Sequence, residues 1–201
     1  DGHVKIINID NIVLEELNEK NQEYRTPLGD ELAAMLYTSG TTGNPKGVML
    51  CFNNLLSNMT GIIEREIITS IDQTLALLPF HHVLPLMVTL VVVYSGASIV
   101  FVPKIASHEI LEALGKNRVT ILVGVPRVYK LFYDGIKDQI QSKFITRKIY
   151  DMTSVIKSMK IRKTIFKKVH TKFGGHLKQM ISGGAKLDPE IGDFFERLGF
   201  Y

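Results

Sequence analysis

Cysteine is almost absent from this sequence, since Cys51 is the single one among 201 residues. One cysteine excludes an internal disulfide and a cysteine-based metal cluster, and it favours a reducing compartment such as the cytoplasm. Cys51 follows an apolar run at 48–50, and we expect it to pack rather than to react. Residues 1–10 contain no basic region leading into an apolar stretch, so no signal peptide is expected there.

Charge is absent from residues 83–103, and this run is long enough to be tested as a transmembrane helix. Pro85 lies near its start, however, and the Ser-Gly-Ala-Ser sequence at 95–98 interrupts it. Both features favour a short buried helix at 86–94 followed by a buried strand at 99–102. The sequence therefore predicts no membrane span here.

Acidic residues are nearly missing from residues 143–172, where Asp151 stands against ten lysines and arginines, although the net charge of the chain is only +4. Within this stretch Ile161, Ile165, Phe166, Val169 and Phe173 recur near helical spacing, with lysines between them. The basic part at 157–172 could lie on an anionic membrane, attract a polyphosphate, or form a solvated face packed on its own domain. Nucleic acid is not expected as a partner, because no recognised binding motif accompanies the charge.

Apolar runs alternate with amphipathic stretches along the whole chain, and this alternation predicts an α/β fold with a mostly parallel sheet flanked by helices. The predicted strands are 4–9, 32–37, 74–78, 99–102, 119–123 and 177–181. The predicted helices are 12–20, 54–68, 86–94, 107–116, 126–141, one or two across 149–173, and 189–198. No repeat or low-complexity tract interrupts this order.

The run 37–48 reads Tyr-Thr-Ser-Gly-Thr-Thr-Gly-Asn-Pro-Lys-Gly-Val, which is rich in hydroxyls and glycine and contains Lys46. Glycines allow backbone N–H groups to approach an anion, while hydroxyls and a lysine supply further phosphate contacts. The common G-x-x-x-x-G-K-[ST] spacing does not apply, because Pro45 precedes the lysine and Gly47 follows it. We predict a phosphate-binding loop of another kind at the edge of the sheet, the alternative being a surface loop with a solvated lysine.

Three further motifs each follow a predicted strand. They are Leu78-Pro79-Phe80-His81-His82-Val83, Gly124-Val125-Pro126-Arg127-Val128-Tyr129 and Ile181-Ser182-Gly183-Gly184-Ala185. The histidine pair has no further His, Cys or acidic cluster at ligand spacing, so a zinc site is not expected. No Ser-His-Asp or Cys-His set points to a protein nucleophile.

Together with the loop, these motifs resemble the signature segments of the adenylate-forming (AMP-binding) enzymes, and the Val-Pro-Arg-Val-Tyr segment resembles the long-chain fatty acyl-CoA synthetase branch. The resemblance implies that residues 1–201 are an internal part of the large N-terminal adenylation domain. The family continues into a Tyr-Gly-x-Thr-Glu motif and a small C-terminal domain with an adenylation lysine. We therefore expect the 201 residues alone to lack ligase activity.

The resemblance also implies roles for residues. Those expected to hold the β- and γ-phosphates of ATP are Ser39, Gly40, Thr41, Thr42, Gly43 and Lys46, with Thr38 as the candidate Mg²⁺ ligand. The segment expected to line the adenine and acyl sites is Ser182, Gly183, Gly184 and Ala185. His82 would lie near the acyl carboxylate or the entrance to its pocket and, with Lys46, act in catalysis, the alternative being a hydrogen-bonded histidine at a strand end. A structural role is favoured for Arg127. The chain departs from the family at 51–54, where it reads Cys-Phe-Asn-Asn instead of Thr-His-x-Asn, so no role is carried over for that histidine.

The implied activity is ATP-dependent conversion of a long-chain fatty acid to an acyl-adenylate and then to acyl-CoA, with Mg²⁺ and coenzyme A. Such chemistry needs no protein nucleophile. The apolar segment 84–93 could wall an acyl tunnel or simply form core. Two other functions stay open: an enzyme that delivers the acyl group to a carrier protein, and a non-catalytic nucleotide- or acyl-binding module.

Overall fold

The computed structural model describes residues 25–38, 44–80, 82–102 and 104–201. The predicted strand 4–9, the predicted helix 12–20 and the loop residues 39–43 lie outside this part. The strands are β1 (Leu32–Thr38), β2 (Lys46–Cys51), β3 (Gln73–Ala76), β4 (Ser98–Phe101), β5 (Ile121–Gly124) and β6 (Gln179–Ser182). The helices are α1 (Phe52–Ile63), α2 (Val83–Tyr94), α3 (Ser107–Lys116), α4 (Pro126–Gln141), α5 (Phe144–Met152), α6 (Met159–Ile165), α7 (Lys167–Lys172) and α8 (Pro189–Arg197), with a 3₁₀ turn at Thr153–Val155.

Four strands form a parallel sheet in the order β4-β3-β5-β6. This arrangement confirms the predicted α/β fold with a mostly parallel sheet. β1 and β2 form a separate antiparallel pair, in which Thr38 is opposite Lys46. The loop residues 39–43 follow β1 in the sequence and lie outside the described residues, so their predicted position at the edge of the sheet stays a prediction.

The central strand β5 shows why the molecule has three layers. Its side chains alternate between the two faces of the sheet, as the period of a strand requires. Ile121 and Val123 pack against Val91 and Val92 of α2 on one face. Leu122 packs on the other face, in a larger core built from α3, α4, α7 and α8. Helices thus cover both faces, which is the usual setting of a parallel sheet.

The uncharged segment forms α2 and then β4, as predicted. The expectation that this strand is buried was wrong, because β4 lies at the edge of the sheet and its residues are exposed or half-buried. The helix begins at Val83, three residues before the predicted start. Pro85 does not prevent this earlier start, because it lies in the first turn of the helix. A proline is tolerated there because the first N–H groups of a helix have no intrahelical acceptor. Within the described part of the chain, no helix is both long and apolar enough to cross a membrane.

A buried carboxylate, Asp72, ties the amino ends of three strands together. Its oxygens accept hydrogen bonds from the Thr69 hydroxyl at 2.7 Å, the Thr120 hydroxyl at 2.8 Å and the Lys178 ammonium at 2.9 Å. Burial alone would raise the pKa of Asp72, but hydrogen bonds from Lys178, Thr69 and Thr120 outweigh it and lower the pKa from 3.8 to about 2. The folded state therefore favours the ionised carboxylate.

This lowered pKa predicts an acid-sensitive contribution to stability. A folded pKa below the unfolded value stabilises the protein above about pH 4, and the effect is lost as the pH falls from 3.8 towards 2. The difference between the two pKa values corresponds to about 2 kcal/mol of unfolding free energy. Solvent screens this contribution little, because Asp72 is almost fully buried. We expect Asp72→Asn to lower the melting temperature of the full-length protein at pH 7, and the gap from wild type to narrow towards pH 3. The exposed Asp138→Asn serves as control, and a gap that is constant with pH would contradict the assignment.

Candidate functional site

The parallel sheet has its topological switch point between β3 and β5. From β3, the chain passes through α2 to β4 on one side, and from β4 it passes through α3 to β5 on the other side. In open α/β sheets, ligands bind in the crevice outside the carboxyl ends of the strands at such a point. The segments that follow β3, β5 and β6 carry the three short motifs, so the topology brings those motifs to one edge.

Glycines allow the three segments to touch. The N–H of Gly183, after β6, donates to the carbonyl of Gly124, at the end of β5, at 3.0 Å. A Cβ atom at Gly183 would lie 3.0 Å from the Leu84 side chain, and one at Gly184 would lie 3.4 Å from that of Val125. Gly184 also has φ +79°, a conformation that side chains rarely adopt. The glycine pair therefore forms a close-packed backbone ledge beside the ends of β3 and β5.

Ser182 and Ala185 flank this ledge. Ser182 is the last residue of β6 and pairs with Gly124, while Ala185 is exposed. The Ser182 Oγ atom is buried, and no group in the described part of the chain hydrogen-bonds to it. Ser182 also lines a cavity of about 560 Å³ together with Tyr129 and Met180. A polar atom with unused capacity thus lies beside the ledge.

His82 occupies the N-cap position of α2 with extended backbone angles, φ −104° and ψ 153°. Its N–H donates to the Pro79 carbonyl at 3.2 Å, which closes the turn after β3. The residue is exposed and stands where the positive end of the α2 dipole meets the sheet edge. His81 lies outside the described residues.

Thr38 and Lys46 form the end of the β1–β2 hairpin. They are paired in register, and the Thr38 hydroxyl lies 3.5 Å from the Lys46 carbonyl, a long and weak contact. Both residues are exposed. The candidate residues therefore fall into two groups: Thr38 with Lys46 at the hairpin end, and His82 with the segment 182–185 at the sheet edge. Ser39, Gly40, Thr41, Thr42 and Gly43 lie outside the described part.

The segment after β5 separates an exposed arginine from a buried tyrosine. Arg127 is exposed in the first turn of α4. The Tyr129 hydroxyl lies 2.8 Å from the carbonyl oxygens of both Leu122 in β5 and Ile181 in β6. Because it has a single proton, it donates to only one of these strands at a time. Burial raises the pKa of Tyr129 far above its usual value, although hydrogen bonding with the backbone of Ile181 and Gly124 opposes this shift. The sequence analysis did not identify Tyr129 as the residue that holds these two strand ends together. The helical spacing of the apolar residues 128, 129, 132 and 133 does indicate that Tyr129 is on the buried side of α4.

The donor set argues against a metal site made by protein alone. Among the described residues, no group of three His, Cys, Asp or Glu side chains could hold an ion. Thr38 offers one hydroxyl oxygen at the hairpin end, and oxygen is the ligand that Mg²⁺ prefers. Such a site fits Mg²⁺ only if substrate phosphates supply most of the ligands, which is how this ion is commonly bound with nucleotides.

Comparisons with known proteins found relatives that are similar over most of the chain. A family model described as AMP-binding enzyme matches residues 3–200. Long-chain-fatty-acid–CoA ligase 2 of Schizosaccharomyces pombe is 32% identical over 202 residues, which cover 92% of this chain and 29% of the ligase. The peroxisomal long chain acyl-CoA synthetase 7 of Arabidopsis thaliana is 31% identical over 183 residues, covering 85% of this chain and 26% of the synthetase.

Solved structures show the same fold. Apo MatB from Rhodopseudomonas palustris matches with a TM-score of 0.61 and 26% identity, covering 88% of this chain and 28% of MatB. The ATP-bound form of MatB matches with a TM-score of 0.58 and 30% identity, covering 85% and 27% respectively. The chain thus spans 26–29% of the length of the curated relatives named above.

Proposed function

The chain belongs to the AMP-binding enzyme family, and we propose that it is part of the N-terminal adenylation domain of an ATP-dependent long-chain fatty acid–CoA ligase. Two long-chain acyl-CoA ligases or synthetases are similar over most of the chain, at 31% and 32% identity. The observation that carries the proposal is the convergence of the segments after β3, β5 and β6 at the switch point of the sheet. A nucleotide and an acyl group can approach one another in that crevice.

The proposed reaction has two steps. A carboxylate oxygen of the fatty acid attacks the α-phosphorus of ATP, and the bond to pyrophosphate breaks. The thiolate of coenzyme A then attacks the acyl carbon, and the bond to AMP breaks. Both steps need positioning and charge stabilisation rather than a protein nucleophile, which fits the side chains of the described site.

At the hairpin end, we assign the polyphosphate of ATP to residues 39–43 and Lys46. Lys46 is exposed and attached to an edge strand, so its ammonium can meet phosphate oxygens without first breaking a buried contact. Thr38, opposite Lys46, would contribute its hydroxyl to Mg²⁺. When bound, the ion neutralises charge on the phosphates.

At the sheet edge, we assign the adenine and the reacting acyl group to Ser182, Gly183, Gly184 and Ala185. Gly184 is exposed, so a flat ring can approach its backbone, whereas the place of a Cβ atom at Gly183 is filled by the Leu84 side chain. The buried Ser182 hydroxyl has hydrogen-bonding capacity to spare. His82, exposed at the N-terminus of α2, would face the acyl carboxylate, and the positive end of the helix favours an anion there.

The test is a comparison of half-reactions in the full-length protein. We expect exchange of labelled pyrophosphate into ATP that depends on a long-chain fatty acid and on Mg²⁺, followed by AMP release when coenzyme A is added. Acid-dependent exchange with transfer to a phosphopantetheinyl carrier protein, and none to coenzyme A, would favour the carrier-protein alternative. Nucleotide binding without any exchange across a panel of acids would overturn the enzyme assignment.

A further inference from the structure

Tyr129 lies where α4 meets the ends of β5 and β6 and the helix α8. The residue is 2% exposed, and its hydroxyl contacts the carbonyl oxygens of Leu122 and Ile181 at 2.8 Å each. Its ring packs edge-to-face with that of Phe195 in α8, with the ring centres 6.1 Å apart. A buried tyrosine hydroxyl needs a hydrogen-bond partner, and here the two acceptors belong to different strands. The side chain therefore bridges β5 and β6.

The bridge stands directly before the glycine pair of the candidate site. The Gly183 N–H donates to the Gly124 carbonyl at 3.0 Å, just beyond the two carbonyls that Tyr129 contacts. A Cβ atom at Gly124 would lie 3.4 Å from the Tyr129 ring, so the ring packs against the end of β5. Ser182 pairs with Gly124 in the same register. The placement of Ser182 and Gly183 relative to β5 thus depends on a side chain of α4.

The Tyr129 hydroxyl is committed to the backbone rather than to a ligand. Tyr129 lines the same cavity of about 560 Å³ as Ser182, but its proton is donated to one of the two strand carbonyls. Burial also raises the pKa of Tyr129 far above its usual value. A side chain that exchanges protons in catalysis has a pKa near the working pH. Tyr129 therefore acts through the position of its neighbours and not as an acid or base.

We propose that Tyr129 is a positioning residue of the nucleotide site, which holds Ser182, Gly183 and Gly184 in the geometry that binds the adenosine part of ATP and of the acyl-adenylate. The inference rests on the proposed function, which assigns adenine to this segment. Small displacements of binding groups are costly, because affinity and rate depend on their placement. The same adenosine stays bound through both half-reactions, so both should depend on Tyr129.

Tyr129→Phe removes the hydroxyl and keeps the ring against Phe195. The matched control is Tyr133→Phe, one turn further along α4. Tyr133 is 6% exposed, and its hydroxyl donates to Glu190 instead of the sheet. In this control the Lys137–Glu190 ion pair, at 2.9 Å, still joins α4 to α8. Each variant loses one hydroxyl from a buried tyrosine of the same helix, but only Tyr129→Phe removes the bridge between the strands.

The first measurement is the affinity of the full-length protein for ATP and for AMP, by titration calorimetry. Tyr129→Phe should weaken both about two- to tenfold, the size of one lost neutral hydrogen bond. The KM for ATP in pyrophosphate exchange should rise by the same factor, and so should the KM for supplied acyl-adenylate in transfer to coenzyme A. A change of KM in both half-reactions is the mark of a site that holds adenosine throughout. Tyr133→Phe should keep the wild-type values.

The second measurement is amide hydrogen exchange without ligand, which needs no ligase activity. A peptide covering residues 180–186 should exchange about two- to tenfold faster in Tyr129→Phe, because the Gly183–Gly124 hydrogen bond opens more often. It should exchange as in wild type in Tyr133→Phe.

Unchanged ATP affinity in Tyr129→Phe would overturn the proposal, even with faster amide exchange, because the role would then be structural only. Equal weakening of ATP binding by both tyrosine variants would overturn it as well. A wild-type protein that exchanges no pyrophosphate would instead count against the ligase assignment. The ATP affinities and the amide exchange of the two variants would still decide the role of Tyr129 in that case.

Discussion

Replacing Lys46 by alanine in the full-length enzyme should lower fatty-acid-dependent pyrophosphate exchange about ten- to a hundredfold. A charge-assisted hydrogen bond to a phosphate is worth roughly 1.5–3 kcal/mol, which corresponds to a loss of that size. Transfer of the acyl group to coenzyme A from supplied acyl-adenylate should be spared, because no pyrophosphate leaves in that step.

The same variant should melt like wild type. Lys46 is exposed on an edge strand, and its pairing with Thr38 uses backbone groups that alanine retains. Surface substitutions of this kind usually alter stability by less than about 0.5 kcal/mol. Lys116→Ala, which removes an exposed lysine at the end of α3, is the control and should retain exchange. If both half-reactions of the Lys46 variant fall equally, or if it unfolds, Lys46 is not a polyphosphate ligand.

The parallel sheet and its helices could be predicted because their signals are local. The bounds of α4 were predicted as observed, since Pro126 opens the helix and the buried residues recur at helical spacing. The start of α8 was predicted from Asp188, whose side chain accepts a hydrogen bond from the Glu190 N–H at 3.0 Å. A proline in the first turn of α4, and a capping side chain at α8, each point to the same boundary as the periodic pattern.

The hairpin could not be predicted, because antiparallel pairing depends on contacts between separated residues. The sequence analysis did not predict β2 as a strand. One of the contacts that pair it with β1 is at Gly47, where a Cβ atom would lie 3.0 Å from the Met35 side chain. The residues next to Gly47 in the sequence do not indicate that contact. The motif residues of the sheet edge were visible in the sequence, whereas the contacts of Gly183 with Leu84 and of Gly184 with Val125 were not.

The helical faces of the basic stretch also could not be predicted from local spacing alone. A single helical face through Ile161, Phe166 and Phe173 was a reasonable interpretation of the spacing, but the helix breaks at Phe166, where φ is −95° and ψ is 26°. The break changes the phase between α6 and α7. Arg162 is buried instead of Ile161, because the Glu196 carbonyl, far along the chain, accepts its guanidinium hydrogen bond.

The largest loss of stability is expected from Gly174→Ala. Gly174 and Gly175 end α7 in a Schellman motif, in which the Gly175 N–H donates to the His170 carbonyl at 2.7 Å and the Gly174 N–H to the Thr171 carbonyl at 3.0 Å. Both glycines have a positive φ, +79° and +74°. A Cβ atom at Gly174 would lie 2.3 Å from the carbonyl oxygen of Leu114 in α3, which is backbone and cannot swing aside.

Gly175→Ala separates the two causes, because a Cβ atom there meets nothing within 4 Å and only the backbone conformation is strained. We expect it to cost about 1 kcal/mol, the usual penalty of a left-handed residue with a side chain. Gly174→Ala should add overpacking against α3, for a total of about 3–4 kcal/mol. The melting temperature of the full-length protein should then fall about three to four times further for Gly174→Ala than for Gly175→Ala. Equal shifts in the two variants would show that the end of α7 does not approach α3 as closely as described, and the anchoring of the whole basic stretch would have to be revised.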